Sequence, residues 1–190
     1  MAMLIAGLVI FLGVHSLAIV SPGLRARAVA KLGEGGWKGL YAVVAIVGFV
    51  VLVWGFALAR AAPVVIYTPP PWMRHVTFLL MLPVFPLLLA AYFPGRIKAA
   101  MKHPMLAAVK FWALAHLLSN GTLADILLFG GFLAWAVIDR ISLKRRPPQA
   151  LHTAPARPFN DVLAVVVGLA LYAFFIGWAH VRLFGVSPLG

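Results

Sequence analysis

Cysteine is absent from the chain's 190 residues. That excludes disulfides, thiolate haem ligation, iron–sulfur clusters and covalent haem attachment through C-x-x-C-H, and leaves histidine, carboxylate or methionine to hold any metal. Acid is nearly as scarce, with Glu34, Asp125, Asp139 and Asp161 the whole supply. No paired carboxylates, no nucleophile beside a base and no phosphate-cradling loop occur. Charged residues make up 11% of the chain, against roughly a quarter in a soluble domain. Apolar residues fill the difference at 64%, so the chain reads as a polytopic membrane protein.

Six apolar spans are expected, at about 2–21, 38–59, 74–93, 104–119, 122–139 and 160–182. They are punctuated by SPG at 21–23, TPPPW at 68–72, PG at 94–95, SNGT at 119–122 and RRPP at 145–148. Asn120-Gly121 reads as a helix stop and Thr122 as the next N-cap, which makes spans four and five a tight hairpin. The first span lacks a basic n-region and a small-residue cleavage site, and reads as a retained helix. No internal repeat occurs. The whole of 1–190 is expected to be one all-α integral-membrane domain, a bundle of about six helices.

A net charge of +12 raises nucleic acid as a partner, but the basic residues sit in short connections and on no amphipathic helix. Twelve of the sixteen lysines and arginines fall in the first, third and fifth connections. Only Arg60, Arg74 and Arg182 lie on the other side, with Lys110 inside a span. This alternation places both termini outside the cytoplasm. The lipid bilayer is the expected partner, and the basic fifth connection, LKRRPPQALHTAPARP, reads as a flexible surface linker touching anionic lipid.

Histidine supplies the remaining chemistry. His15 lies in the inner half of span one, where helix packing and iron ligation are both open readings. His116 shares a helix face with Trp112 and Asn120, four residues either side, a pattern that suits either a cofactor wall or interfacial anchoring. His103 precedes Pro104 at the cytoplasmic boundary and reads as a cap or interfacial group. Lys110, on the His103 face, is placed to snorkel to the interface. Asp125 either caps the fifth span or fixes the tautomer of a ligating histidine. His75 and His180 lie near the outer surface, and His152 in the basic loop has no assigned role. Two intramembrane histidines suit a b-type haem. By helix rise, however, His15 is about 9 Å from the cytoplasmic end of its span and His116 about 18 Å.

The strings FLGVHSL, PGLRARAVAKLGEGGWKGLYAVVA and KHPMLAAVKFWALAHLLSNGTLADILLFGGFLAWAVIDR, closing with AHVRLFGVSP, resemble the NnrU family of bacterial membrane proteins over essentially the whole chain. The resemblance implies a multi-pass protein of the bacterial inner membrane, associated with nitrite and nitric oxide reduction in denitrification. The family in turn looks related to the haem b zeta-carotene isomerases of plants and cyanobacteria, through V-H-S at 14–16, H-P at 103–104 and A-H at 115–116. That likeness implies haem b as cofactor with His15 and His116 as its axial iron ligands, and Trp112, Asn120, Asp125 and His103 as further site-lining candidates. The isomerase motif R-H-P-Q reads K-H-P-M here, and a cysteine near the second histidine has no counterpart.

Three functions follow as expectations. A haem b protein would support nitric oxide or nitrite reduction or an allied redox step, through a redox partner the sequence does not name. A haem-dependent isomerase would act on a lipophilic, carotenoid-like polyene in a cleft opened by Pro83 and Pro86. A non-haem assembly or transport factor would use its histidines only to pack helices.

Overall fold

The computed structural model describes residues 1–146 and 153–189; His152 and its immediate neighbours in the basic loop lie outside the described residues. Ten α-helices run through them: α1 (Ala2–His15), α2 (Leu17–Val20), α3 (Pro22–Ala61), α4 (Met73–Met81), α5 (Val84–Tyr92), α6 (Arg96–Met101), α7 (Pro104–Ser119), α8 (Leu123–Ser142), α9 (Asn160–Phe174) and α10 (His180–Phe184). A π-helical turn, Phe175–Ala179, joins the last two. Among the described residues there is no strand, only an isolated bridge between Val65 and Thr122. Three helical stretches are long and apolar enough to cross a membrane: Gly23–Ala61, Met73–Tyr92 and Asn160–Phe184. Ala2–His15 and Pro104–Ser119 are shorter apolar helices.

The chain falls into two compact units, Met1–Thr68 with Gly121–Lys144, and Pro69–Asn120 with Arg145–Gly190. The helices on either side of the expected hairpin therefore belong to different units, α7 to the second and α8 to the first.

In the first unit α1 lies against α3 at backbone distance. A side chain at Gly55 would meet the Met3 carbonyl carbon at 2.6 Å, and one at Gly48 would meet the Phe11 nitrogen at 2.8 Å. Small residues allow this approach, and close packing is what holds helices together where lipid removes the hydrophobic drive. Two boundaries differ from the sequence reading. Span one breaks at Ser16, whose hydroxyl donates to the Leu12 carbonyl at 2.6 Å while its N–H is shared between Leu12 and Gly13. Such back-bonding by serine competes with the regular ladder and bends helices. The connection expected between residues 21 and 38 is helical as well. Pro22 starts a helix that runs to Gly33, where φ of 70° and ψ of 167° interrupt it before it resumes through the second span. Glu34, just past the break, takes Arg25 and Lys38 at 3.4 Å each, both exposed pairs of small energetic weight.

In the second unit the third span is split, as its prolines predict: α4 ends at Met81 and α5 starts at Val84, after Pro83. α9 packs against α5 just past the bend. A side chain at Gly168 would lie 2.7 Å from Pro86 Cα. The Tyr172 hydroxyl completes the contact by donating to the Phe78 carbonyl at 3.0 Å. Val84, Leu87, Ala107 and Ala108 form the buried core, with Met81, Phe111 and Trp112 packed around it. Lys98 Nζ donates to the Ala91 carbonyl at 2.8 Å and so closes the end of α5.

Candidate haem-ligating histidines

His15 is the last residue of α1, and what surrounds it comes from three helices of the first unit. Phe11 lies tilted against its ring at 4.3 Å, Tyr41 of α3 meets it edge-on at 5.6 Å, and Trp135 of α8 lies perpendicular at 6.1 Å. Phe132 packs behind Phe11 at 5.7 Å. His15 Nδ1 donates to the Phe11 carbonyl at 2.6 Å. A carbonyl only accepts, so Nδ1 carries the proton and the neutral ring keeps its lone pair on Nε2. This half-buried histidine is therefore held in the tautomer that ligates through Nε2. Next to it the Trp135 indole Nε1 is shielded from solvent, and among the described residues no hydrogen-bond partner meets it. An orphaned donor costs about 1–3 kcal/mol.

His116, in the second unit, repeats the local arrangement. Its Nδ1 donates to the Trp112 carbonyl at 2.8 Å, and the Trp112 ring lies 5.5 Å away. The Asn120 amide donates to the His116 carbonyl at 2.9 Å and to the Ser119 hydroxyl at 3.2 Å. The Ala115 carbonyl takes both the Thr77 hydroxyl at 3.1 Å and the Ser119 hydroxyl at 3.2 Å. The end of α7 thus has its carbonyls occupied, which fixes the backbone that carries His116.

Asp125 works as a cap. Its carboxylate accepts the Thr122 N–H at 3.1 Å and the Thr122 hydroxyl at 2.6 Å, while its own N–H donates to that hydroxyl at 3.3 Å. This is a capping box on α8, and Asp125 is 7% exposed. The Nδ1 proton of His116 goes to a backbone carbonyl, so Asp125 is not what sets that tautomer. Gly121 and Leu123 also pair with the Val64–Tyr67 segment of the same unit through Ile66 N–H to Gly121 O at 2.8 Å and Leu123 N–H to Val64 O at 2.8 Å. Burial, and the Asp125 carboxylate second, push the Tyr67 phenol above its ordinary value.

His103 occupies the N-cap position of α7 with Pro104 at N1, but its ring makes no side-chain cap. The K-H-P motif carries a different feature. Lys102 has φ of 60° and ψ of −45°, and the His103 N–H reaches the Met101 carbonyl at 2.6 Å. That is a γ-turn with positive φ, a rare and strained conformation for a non-glycine residue. Lys110 is half-buried on α7, His75 lies 6.5 Å from Phe78, and His180 Nδ1 donates to the Val186 carbonyl at 2.7 Å.

Sequence reasoning missed Tyr41, Trp135 and the histidine–carbonyl locks. A visible signal for the locks existed in F-x-x-x-H and W-x-x-x-H, an aromatic one turn before each histidine. Among the described residues no group of three or more histidines and carboxylates gathers to hold a metal ion. A haem brings four of its own ligands to the iron and asks the protein for single imidazoles, which is the kind of donor His15 and His116 are.

No curated protein and no solved structure matches the chain. A family model described as NnrU protein matches residues 3–188, nearly its full length, and the chain belongs to the NnrU family.

Proposed function

We propose that this NnrU-family protein crosses the bacterial inner membrane six times with both termini outside the cytoplasm, and binds haem b through His15 and His116. The observation that carries the reading is the shared lock: each histidine gives its Nδ1 proton to the carbonyl four residues earlier, so Nε2 is the nitrogen that would meet iron. Metal-bound histidines have their second ring N–H held in this way. The orphaned Trp135 N–H beside His15 also suits a cavity wall that awaits an acceptor.

Bound there, haem would supply an iron centre able to pass single electrons or to bind nitric oxide. The chain's own residues orient and shield that centre. Phe11 and Trp112 supply the carbonyls that fix the imidazoles, and Tyr41, Phe132 and Trp135 form an aromatic wall on the His15 side. The physiological role is support of nitrite or nitric oxide reduction, or an allied redox step. The test is an optical spectrum of detergent-purified protein, oxidised and dithionite-reduced, with His15→Ala and His116→Ala alongside. Soret and α bands of b type, lost or shifted in both variants, are expected. A colourless wild type after haem is supplied during expression ends the reading.

A further inference from the structure

The turn before α6 is pinned to the start of α9 by two neighbouring side chains. Asn160, 2% exposed, donates its amide to the Pro94 carbonyl at 2.8 Å and to the Pro155 carbonyl at 3.0 Å. Asp161 accepts the backbone N–H of Arg96 at 2.7 Å and of Ile97 at 3.0 Å, one on each carboxylate oxygen. There is no room for a side chain at Gly95, where a Cβ would stand 2.6 Å from Asp161 Cγ. Two stretches of irregular backbone, 94–95 and 155–158, are thus held side by side through buried Asn160 and half-buried Asp161.

Between them lies an open groove lined by Pro94, Gly95, Arg96, Ala99, Ala156, Arg157 and Pro158. Its walls are apolar and its charge comes from two guanidiniums, one on each rim. The nearby carboxylate, Asp161, is already engaged by two N–H groups and turned into the backbone. Arg157 also lies over the Phe159 ring at 5.8 Å. Both arginines belong to the connections that the charge bias assigns to the cytoplasmic face.

We propose that this groove is a binding site for the phosphate of an anionic phospholipid headgroup. Arginine pairs bidentately with phosphate, two arginines attract its negative charge, and the proline and alanine walls suit the glycerol and upper acyl carbons. Basic pockets beside transmembrane helices on the cytoplasmic side take anionic lipid in this manner. The site is independent of the haem reading and uses only the membrane orientation proposed with it.

The full chain, purified in detergent, is heated with added phosphatidylglycerol, with phosphatidylcholine, or with inorganic phosphate. Phosphatidylglycerol is expected to raise the unfolding midpoint by several degrees, and the other two to leave it within a degree. The Arg96→Gln/Arg157→Gln variant loses most of that rise. Arg27→Gln/Lys31→Gln, an equal loss of charge in the first connection, keeps it. Ala99→Phe, which fills the groove without changing charge, loses it again and covers the case in which the double variant does not fold. A rise lost equally in the two charge-matched variants, or retained in Ala99→Phe, overturns the site. An equal rise with inorganic phosphate overturns the lipid as its occupant.

Discussion

Gly48→Ala tests how His15 is held. In the structure an added Cβ would meet the Phe11 nitrogen at 2.8 Å, Ile10 Cγ2 at 2.9 Å and Phe11 Cα at 3.0 Å. Ordinary contact begins near 3.4 Å, so α1 must move away by about 0.6 Å at the residue whose carbonyl locks the His15 ring. Two of the three obstructions are backbone and cannot rotate aside. Overpacking of this kind costs about 1–3 kcal/mol. Gly39→Ala in the same helix is the control, because its added Cβ meets nothing within 4 Å. It should be neutral or gain up to about 1 kcal/mol from helix propensity. Chemical unfolding in detergent followed by near-ultraviolet circular dichroism reads both. With haem bound, Gly48→Ala should also shift the Soret band, since the ligand's anchor has moved. Equal stability of the two variants would refute the close packing of α1 on α3.

Three further outcomes follow from individual residues. Asp125→Ala should cost about 1–2 kcal/mol through loss of the capping box, with a haem spectrum like the wild type's; a spectral change as large as that of His116→Ala would return Asp125 to the ligand's surroundings. Lys102→Gly should raise stability by roughly 1 kcal/mol, because glycine adopts the positive φ of the γ-turn without strain. A loss of stability on thermal unfolding would contradict the turn. Tyr67 has a raised pKa, so above pH 10 the unfolded phenol ionises first and stability falls as pH climbs through the folded value. Tyr67→Phe should flatten that part of the alkaline limb, and identical slopes would deny the effect.

Local rules made some of this fold legible in the sequence. The stop after Ser119, the Thr122 cap, the break at Pro83 and Pro104 at N1 each depend on a few adjacent residues, and each is where the pattern puts it. The first connection misled because Ser21-Pro22-Gly23 was open to two readings. Proline interrupts a helix from within but begins one at N1, and the arginines, lysine and alanines that follow are good helix formers. The aromatic wall around His15 was out of reach for another reason. Tyr41 and Trp135 meet the histidine through tertiary packing, and no periodicity in any one span announces them.

The same distinction bears on the depth mismatch between the histidines. Counting rise along a continuous span sets His15 about 9 Å from a helix end, yet α1 stops at His15 itself, with Ser16 diverting the ladder. Depth counted by helix rise therefore rests on a helix whose geometry changes at Ser16. What survives is the feature that does not depend on depth: an aromatic residue, a carbonyl and an imidazole one turn apart, present in both units. Proton position at Nδ1 decides whether Nε2 can bind iron, and both rings decide it the same way. Replacing either histidine by glutamine, which keeps a polar side chain but lacks the Nε2 lone pair, should abolish the b-type spectrum as fully as alanine does. Retention of the spectrum in His15→Gln would show that ligation resides elsewhere.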